Sequence, residues 1–165
     1  STGKVLEKMG ADFLCLPCNT SYYFYDQIQN ELEIPLLNMI DITVNSIKES
    51  GAKKVCVLGT EGTIRSGIYK KKLIDNNIEL TNLDENMIAL LQFVIYEVVK
   101  KQDFSQGINE FVQALDQIKE IEKVDLFILA CTELPILFEK YQLKYKTLDP
   151  TLALAKEAIR LTMGE

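Results

Sequence analysis

Two cysteines stand where a short apolar run gives way to polar residues, and thiols in such positions can transfer protons. Cys18 follows the apolar run 13–17, and Cys131 follows the apolar run 127–130. If both runs are strands of a parallel sheet, each thiol lies at a carboxyl strand end and faces a helix start, which is where such sheets bind ligands. Backbone N–H groups and the helix dipole lower the pKa of a thiol there. We therefore expect Cys18 and Cys131 to be reactive thiolates.

The other two cysteines have a simpler interpretation. Cys15 and Cys56 lie inside apolar runs, where a free cysteine usually serves as a small buried side chain. Cys15 and Cys18 also form a C-x-x-C pair, which occurs in thiol–disulfide exchange proteins and in zinc sites. A zinc site would need a second closely spaced pair, and the first cysteine of a redox motif normally opens a helix. Both alternatives are therefore weaker than acid–base chemistry.

Composition narrows the classes of partner and of chemistry. The 165 residues carry a net charge of -6 and include no His, so any proton transfer falls to Cys, Asp, Glu, Lys or Tyr. An acidic chain whose only basic cluster is 70–72 does not suit nucleic acid. The apolar runs are shorter than the roughly 20 residues that cross a bilayer, and residues 1–5 do not resemble a signal peptide. We expect a cytoplasmic protein with reduced thiols and no nucleic-acid or membrane partner.

Apolar runs of five or six residues alternate with longer amphipathic stretches, which is typical of a parallel sheet covered by helices. Asp41 is the predicted N-cap of the second helix, and Gly51 is its predicted C-cap. The fold class is α/β. The predicted strands are 13–17, 35–39, 54–59, 78–82, 125–130 and 145–148. The predicted helices are 22–32, 42–50, 63–76, 86–101, 105–121, 132–141 and 151–163.

Four segments in this order resemble the signatures of the cofactor-independent aspartate/glutamate racemase family. They are Pro17-Cys18-Asn19-Thr20, Gly59-Thr60-Glu61-Gly62-Thr63, Ala130-Cys131-Thr132-Glu133-Leu134-Pro135 and Asp149-Pro150-Thr151. Their spacing also fits, and the resemblance covers essentially the whole chain. The glutamate branch of that family has His after Cys-Thr, whereas Glu133 is similar to the aspartate branch. The segment 59–63 is not a phosphate-binding Walker loop, because it lacks the Gly-Lys-Ser/Thr ending.

The resemblance implies two flavodoxin-like lobes with parallel sheets covered by helices, the first of them incomplete in this chain. Residues 1–50 would be the remainder of the first α/β lobe, 51–148 the second lobe, and 149–165 a C-terminal helix that packs back on the first. The family's opening strand has no counterpart before Ser1, so we expect an N-terminal segment to be missing. An unpaired strand edge invites association. We therefore expect the isolated chain to self-associate, for example as a homodimer, or to need the missing segment, and to racemise poorly.

The activity implied by the resemblance is racemisation of aspartate or glutamate without a cofactor or a metal. Cys18 and Cys131 would be the catalytic thiols on opposite faces of the substrate Cα, and Lys100 would reach the distal carboxylate of a small dicarboxylic amino acid. The implied substrate-binding residues are Asn19, Thr20, Thr60, Thr63, Lys100, Thr132 and Glu133.

Other interpretations of these residues stay open. Asn and Thr at strand–helix junctions often serve only as caps, and Lys100 or Glu133 could simply interact with a helix dipole. Hydantoin racemases, maleate isomerases and decarboxylases of the same superfamily use one or both cysteines, so the substrate could be another small acid. A non-catalytic small-acid binding or assembly domain with the same fold is the alternative from a different functional class.

Overall fold

A four-stranded parallel sheet forms the centre of the computed structural model, which describes residues 2–164. The strands are β1 Lys54–Gly59, β2 Glu79–Leu80, β3 Leu126–Ala130 and β4 Thr147–Leu148, in the spatial order β2-β1-β3-β4. All three strand pairs are parallel, which confirms the predicted α/β class. Ser1 and Glu165, the outer ends of the predicted segments 1–50 and 149–165, lie outside the described residues. The division of the chain into those segments stays a prediction.

Helices cover both faces of the sheet. They are α1 Thr2–Lys8, α2 Tyr25–Gln29, α3 Met39–Ser50, α4 Glu61–Ser66, α5 Ile68–Asp75, α6 Glu85–Phe93, α7 Ile108–Glu122, α8 Leu134–Lys140 and α9 Pro150–Met163. A 3-10 helix, Asn19–Phe24, precedes α2, and a π-helical segment, Val94–Val99, follows α6. No helix within residues 2–164 is long and apolar enough to cross a membrane.

The core is divided between the two faces of the sheet because successive side chains of a strand point to opposite sides. Cys56 and Leu58 of β1 pack on one face with side chains of α6, α7 and α8, including the fully buried Phe111. Val55 and Val57 pack on the other face with α3, α5 and α9. Helices on both faces explain why β3 is apolar along its whole length and why β1 has no polar side chain after Lys54.

The predicted strands 13–17 and 35–39 are corrected to a single parallel bridge between Leu14 and Leu36. Leu14 N donates to Pro35 O over 2.8 Å, and Leu37 N donates to Leu14 O over 2.9 Å. The ladder does not extend because Pro35, next to the bridged Leu36, has no N–H to donate. In addition, Cys18 N donates a hydrogen bond to Leu16 O over 2.8 Å, so the chain turns before the cysteine.

The predicted helices 42–50 and 63–76 differ from the structure in their caps and continuity. Asn38, not Asp41, is the N-cap of α3, because its Oδ1 accepts from Ile40 N at 3.0 Å and from Asp41 N at 3.2 Å. The helix therefore begins three residues before the predicted 42–50, and Asp41 lies in its first turn. Gly51, with φ of 75°, caps its end as predicted. The predicted helix 63–76 is divided by Gly67, whose φ of 69° interrupts the helical backbone.

Candidate functional site

The carboxyl ends of β1 and β3 bring two predicted site residues to the same edge of the sheet. Gly59, the last residue of β1, lies opposite Ala130, the last residue of β3. Thr60 and Cys131 follow them directly. A Cβ at Gly59 would lie only 3.0 Å from the Ala130 carbonyl oxygen, so glycine permits the close approach of the two strand ends. This edge is where open parallel sheets bind ligands.

A cleft of about 450 Å³ opens at this edge and contains nearly all of the predicted site. Cys18 and Cys131, far apart in sequence, both line it. The other predicted residues that line it are Asn19, Thr20, Thr60, Lys100, Thr132 and Glu133. Thr63 is the exception, because its side chain lies behind the wall of the cleft and is 2% exposed.

Three threonine hydroxyl groups connect the Cys18 segment to α4. Thr63 Oγ1 lies 2.8 Å from Thr20 Oγ1 and 3.2 Å from Thr60 Oγ1. Thr60 is also the N-cap of α4 and accepts from Thr63 N at 3.4 Å. Thr63 therefore has a bracing position, in which it holds two cleft-lining threonines together rather than facing the cleft.

Cys18 is exposed, while Asn19 beside it is buried. The hydroxyl group of Tyr69 donates to Asn19 Oδ1 over 2.5 Å. Burial raises the pKa of Tyr69, so the phenol stays neutral and remains a donor. Tyr22 is a core residue, because it is buried and its hydroxyl group donates to Leu37 O at 2.9 Å. The position of Cys18 is thus fixed by contacts of its neighbour rather than of its own thiol.

Cys131, Glu133 and Lys100 form a connected group of side chains at the cleft. Cys131 Sγ donates to Glu133 Oε2 over 2.8 Å, and Thr132 Oγ1 donates to the same oxygen over 2.9 Å. Lys100 Nζ lies 3.6 Å from Glu133 Oε1 and 4.2 Å from the centre of the Tyr96 ring. Glu133 is therefore shared between a thiol, a hydroxyl group and an ammonium group.

The protonation of Cys131 differs from the prediction. Burial, reinforced by the hydrogen bond to Glu133, raises the pKa of Cys131 to about 12. A thiolate at Cys131 would lose its hydration and would lie beside the negative charge of Glu133. Together these two effects outweigh the stabilisation that a helix start supplies, so the resting group is a thiol. Burial alone would raise the pKa of Glu133, but the donors Cys131 and Thr132 and the charge of Lys100 hold it below its usual value. Glu133 is therefore a carboxylate that accepts the thiol proton in a hydrogen bond.

The cysteines outside the cleft divide into two kinds. Cys56 is fully buried in β1, as predicted, and burial raises its pKa to about 12. Cys15 is exposed, which corrects its predicted core position. The reason is that the segment around Cys15 forms only one bridge and is not covered on both sides as a central strand would be. All four cysteines of residues 2–164 are free thiols.

Sequence reasoning missed Gln92 and Tyr96, which also line the cleft. Both lie on the helical stretch that ends at Lys100, at spacings of four residues. Residues four apart share one face of a helix. Because Lys100 was a predicted site residue, the residues four and eight positions before it could have been predicted to line the cleft as well. Tyr69 was missed as well, and no local pattern marks it, since its partner Asn19 is distant in the chain.

Comparison with known proteins identifies relatives across nearly the whole chain. The sequence profile of the Asp/Glu/hydantoin racemase family matches residues 2–158. The chain is 36% identical over 155 residues to the broad specificity amino-acid racemase RacX of Bacillus subtilis, and the match covers 93% of this chain and 66% of that protein. The chain spans between 50% and 66% of the length of the curated relatives that it matches.

Two solved structures share the fold. An aspartate racemase homologue from Pyrococcus horikoshii OT3 superposes with a TM-score of 0.87 at 25% identity, and the match covers 98% of this chain and 71% of that one. The aspartate racemase of Picrophilus torridus superposes with a TM-score of 0.66 at 30% identity, over 98% of this chain and 66% of that one.

Proposed function

We propose that this chain, which belongs to the Asp/Glu/hydantoin racemase family, carries the two catalytic thiols of an amino-acid racemase that works without a cofactor. The observation that supports the proposal most strongly is that Cys18 and Cys131 line one cleft at the carboxyl edge of the sheet. Inversion at a carbon centre needs a proton acceptor on one face and a proton donor on the other. Two thiols from separate segments can supply both.

We assign the two thiols different roles at the start of the reaction. Cys131 is the proton donor, because its raised pKa keeps it a thiol at neutral pH. Cys18, which is exposed, is assigned as the base that removes the α-proton. The electron pair of the Cα–H bond moves toward the α-carboxylate, and Cys131 then gives its proton to the opposite face of Cα. Cys18 is now a thiol and Cys131 a thiolate, so the reverse reaction proceeds with the roles exchanged.

The developing charge on the α-carboxylate needs donors that are already in place. Thr20, Thr60 and Thr132 offer hydroxyl groups at the wall of the cleft, and Asn19 adds a carboxamide. The hydrogen bonds that hold Thr20 to Thr63 and Asn19 to Tyr69 restrict these donors before the substrate arrives. Preorganised donors stabilise a transition state without a cost of reorganisation.

The proposed substrates are aspartate and glutamate, with the distal carboxylate near Lys100. Lys100 ends the helical stretch that forms one wall of the cleft and retains a side chain that is 43% exposed. Its pairing with Glu133 at 3.6 Å is loose enough for a second carboxylate to share the ammonium group. The broad specificity of the relative RacX supports testing a wider panel of amino acids.

Incubation with separate amino acids in deuterated water tests the proposal directly. Loss of the α-proton signal, with the appearance of the opposite enantiomer on chiral chromatography, is expected for aspartate or glutamate. Aspartate or glutamate that binds without losing its α-proton would instead identify a non-catalytic binding domain. Exchange without inversion would contradict the two-thiol mechanism.

A further inference from the structure

The ring of Tyr96 is the second partner of Lys100 at the cleft. Lys100 Nζ lies 4.2 Å from the centre of that ring, a distance at which the negative face of an aromatic ring attracts an ammonium group. The other partner is the carboxylate of Glu133, with 3.6 Å between Nζ and Oε1. Tyr96 and Lys100 both line the cleft that contains the two proposed catalytic thiols. The ammonium group proposed to bind the substrate is therefore shared by a carboxylate and a ring.

The backbone that carries Tyr96 and Lys100 is anchored in the core. Tyr96 belongs to the π-helical segment Val94–Val99, and Lys100 N closes its last turn by donating to Ile95 O over 3.1 Å. Ile95 and Val99 are buried in the core cluster, whereas Tyr96 is 43% exposed. Segments of this kind are frequent at functional sites. The ring and the ammonium group thus emerge on the cleft side of an anchored helical turn.

The two partners of Lys100 have different effects on its charge. Glu133 brings a negative charge, which offsets part of the positive charge that a substrate carboxylate would meet. The ring of Tyr96 attracts the ammonium group through its quadrupole and adds no net charge. At 3.6 Å the contact with Glu133 is an ion pair but is too long for a hydrogen bond, so it does not fix the direction of the ammonium group. A ring can restrict the flexible lysine while its charge stays available to a ligand.

We propose that Tyr96 is a positioning residue, whose ring holds the Lys100 ammonium group where it meets the distal carboxylate of the substrate. The inference rests on the proposed racemase function and deepens it, because it assigns the residue that prepares the charge for binding. Restricting a lysine before the substrate arrives lowers the cost of ordering it on binding. Tyr96 acts through Lys100, so its ring is required. Its hydroxyl group, a donor at the same wall, is not.

Two substitutions separate the ring from the hydroxyl group. Tyr96→Leu removes the ring, so KM for aspartate should rise about threefold or more. The value of kcat should stay the same, because the contact lies at the far end of the substrate from Cα and is equal in the ground state and the transition state. Tyr96→Phe keeps the ring and should keep the wild-type KM. An equal rise of KM in both variants would assign the role to the hydroxyl group and overturn the proposal.

A double-mutant cycle tests whether Tyr96 acts through Lys100. In the Lys100→Met background, which has no ammonium group to hold, Tyr96→Leu should cause no further loss of kcat/KM for aspartate. A loss of the same size in both backgrounds would overturn the proposal. Phe104→Leu is the matched control, because it removes a ring 4.4 Å from the Lys140 ammonium group. Neither residue of that pair lines the cleft, so kcat/KM should stay at the wild-type value.

Nuclear magnetic resonance gives a readout that needs no turnover. The ring current of an aromatic face moves the signals of protons held above it upfield. The ε-methylene protons of Lys100 should therefore lie upfield of those of Lys101 in the wild type and in Tyr96→Phe, and should lose that shift in Tyr96→Leu. Unshifted Lys100 protons in the wild type would overturn the proposal.

The effect of aspartate on thermal stability separates the role of Tyr96 from the racemase function. If the wild-type protein exchanges no α-proton, the racemase function fails. The increase in melting temperature caused by saturating aspartate then decides the role of Tyr96. A smaller increase in Tyr96→Leu than in Tyr96→Phe supports the proposal, and equal increases in the two variants overturn it.

Discussion

The thiol of Cys131 donates a hydrogen bond to the carboxylate of Glu133, with 2.8 Å between Sγ and Oε2. The contact makes the two proposed catalytic thiols unequal, because Cys131 is buried beside a negative charge while Cys18 is exposed. Lys100, on the far side of Glu133, offsets part of that charge. The resting protein therefore holds one thiol ready to give a proton.

Glu133→Gln should make Cys131 more reactive toward alkylation. The amide still accepts the thiol hydrogen bond, but the negative charge that disfavours the thiolate is gone, so the pKa of Cys131 falls from about 12. Below its pKa the thiolate fraction changes about tenfold for each pH unit. Iodoacetamide labelling of the peptide that contains Cys131, measured by mass spectrometry from pH 7 to 10, should therefore accelerate in the variant.

Two controls accompany that measurement. Glu139→Gln, on the exposed side of α8, should leave the labelling of Cys131 unchanged. Cys56, whose pKa is raised mainly by burial in the core and further by the charge of Glu122, should stay slow in every variant. An unchanged rate at Cys131 in Glu133→Gln would show that Glu133 does not control its protonation.

Lys100→Met should reduce turnover of aspartate and glutamate while leaving the fold intact. The variant loses the positive charge at the cleft, and interactions with charged groups are worth about 1.5–3 kcal/mol, so KM should rise roughly tenfold or more. Lys101→Met is the matched control, because Lys101 pairs with Glu97 on the exposed surface at 2.5 Å. Equal kinetics in the two variants would show that Lys100 does not contact the substrate and is only a surface residue at a helix end.

The strongest parts of the sequence prediction were those determined by local pattern. The apolar run 54–59 is β1 at the predicted bounds, and Gly51 caps α3 because only a residue that tolerates positive φ fits there. The run 13–17 failed because apolarity alone does not supply a pairing partner, and its single bridge depends on residues about twenty positions later. Local pattern also could not distinguish Asn38 from Asp41 as a cap, since both side chains suit that position.

For the candidate site as well, the sequence predicted what depends on local pattern and failed where the outcome depends on packing. Seven signature residues and Lys100 line the cleft, but the predicted thiolate state of Cys131 was wrong because the helix start suggested a lowered pKa. The desolvation that raises it depends on packing that brings Cys131 to 9% exposure. Gln92 was missed because an amide on an amphipathic helix looks like a surface residue until its neighbours in space are known.

Thr63→Val should lower the free energy of unfolding by about 1–2 kcal/mol. The substitution keeps the shape of the side chain but removes the hydroxyl group that joins Thr20 at 2.8 Å to Thr60 at 3.2 Å. Urea unfolding measures the change. Thr162→Val, which removes an exposed hydroxyl group near the end of α9, should stay within about 0.5 kcal/mol of the wild type. Equal effects of the two variants would argue against a bracing role for Thr63.

The most direct test of the two-thiol account is the rate of enantiomer inversion in single cysteine-to-alanine variants at all four positions. Measured by chiral chromatography with aspartate, inversion should disappear in both Cys18→Ala and Cys131→Ala, because each leaves one face of Cα without its proton acceptor or donor. Cys15→Ala and Cys56→Ala should retain it, since neither residue lines the cleft. Inversion at a near-normal rate in either Cys18→Ala or Cys131→Ala would contradict the account.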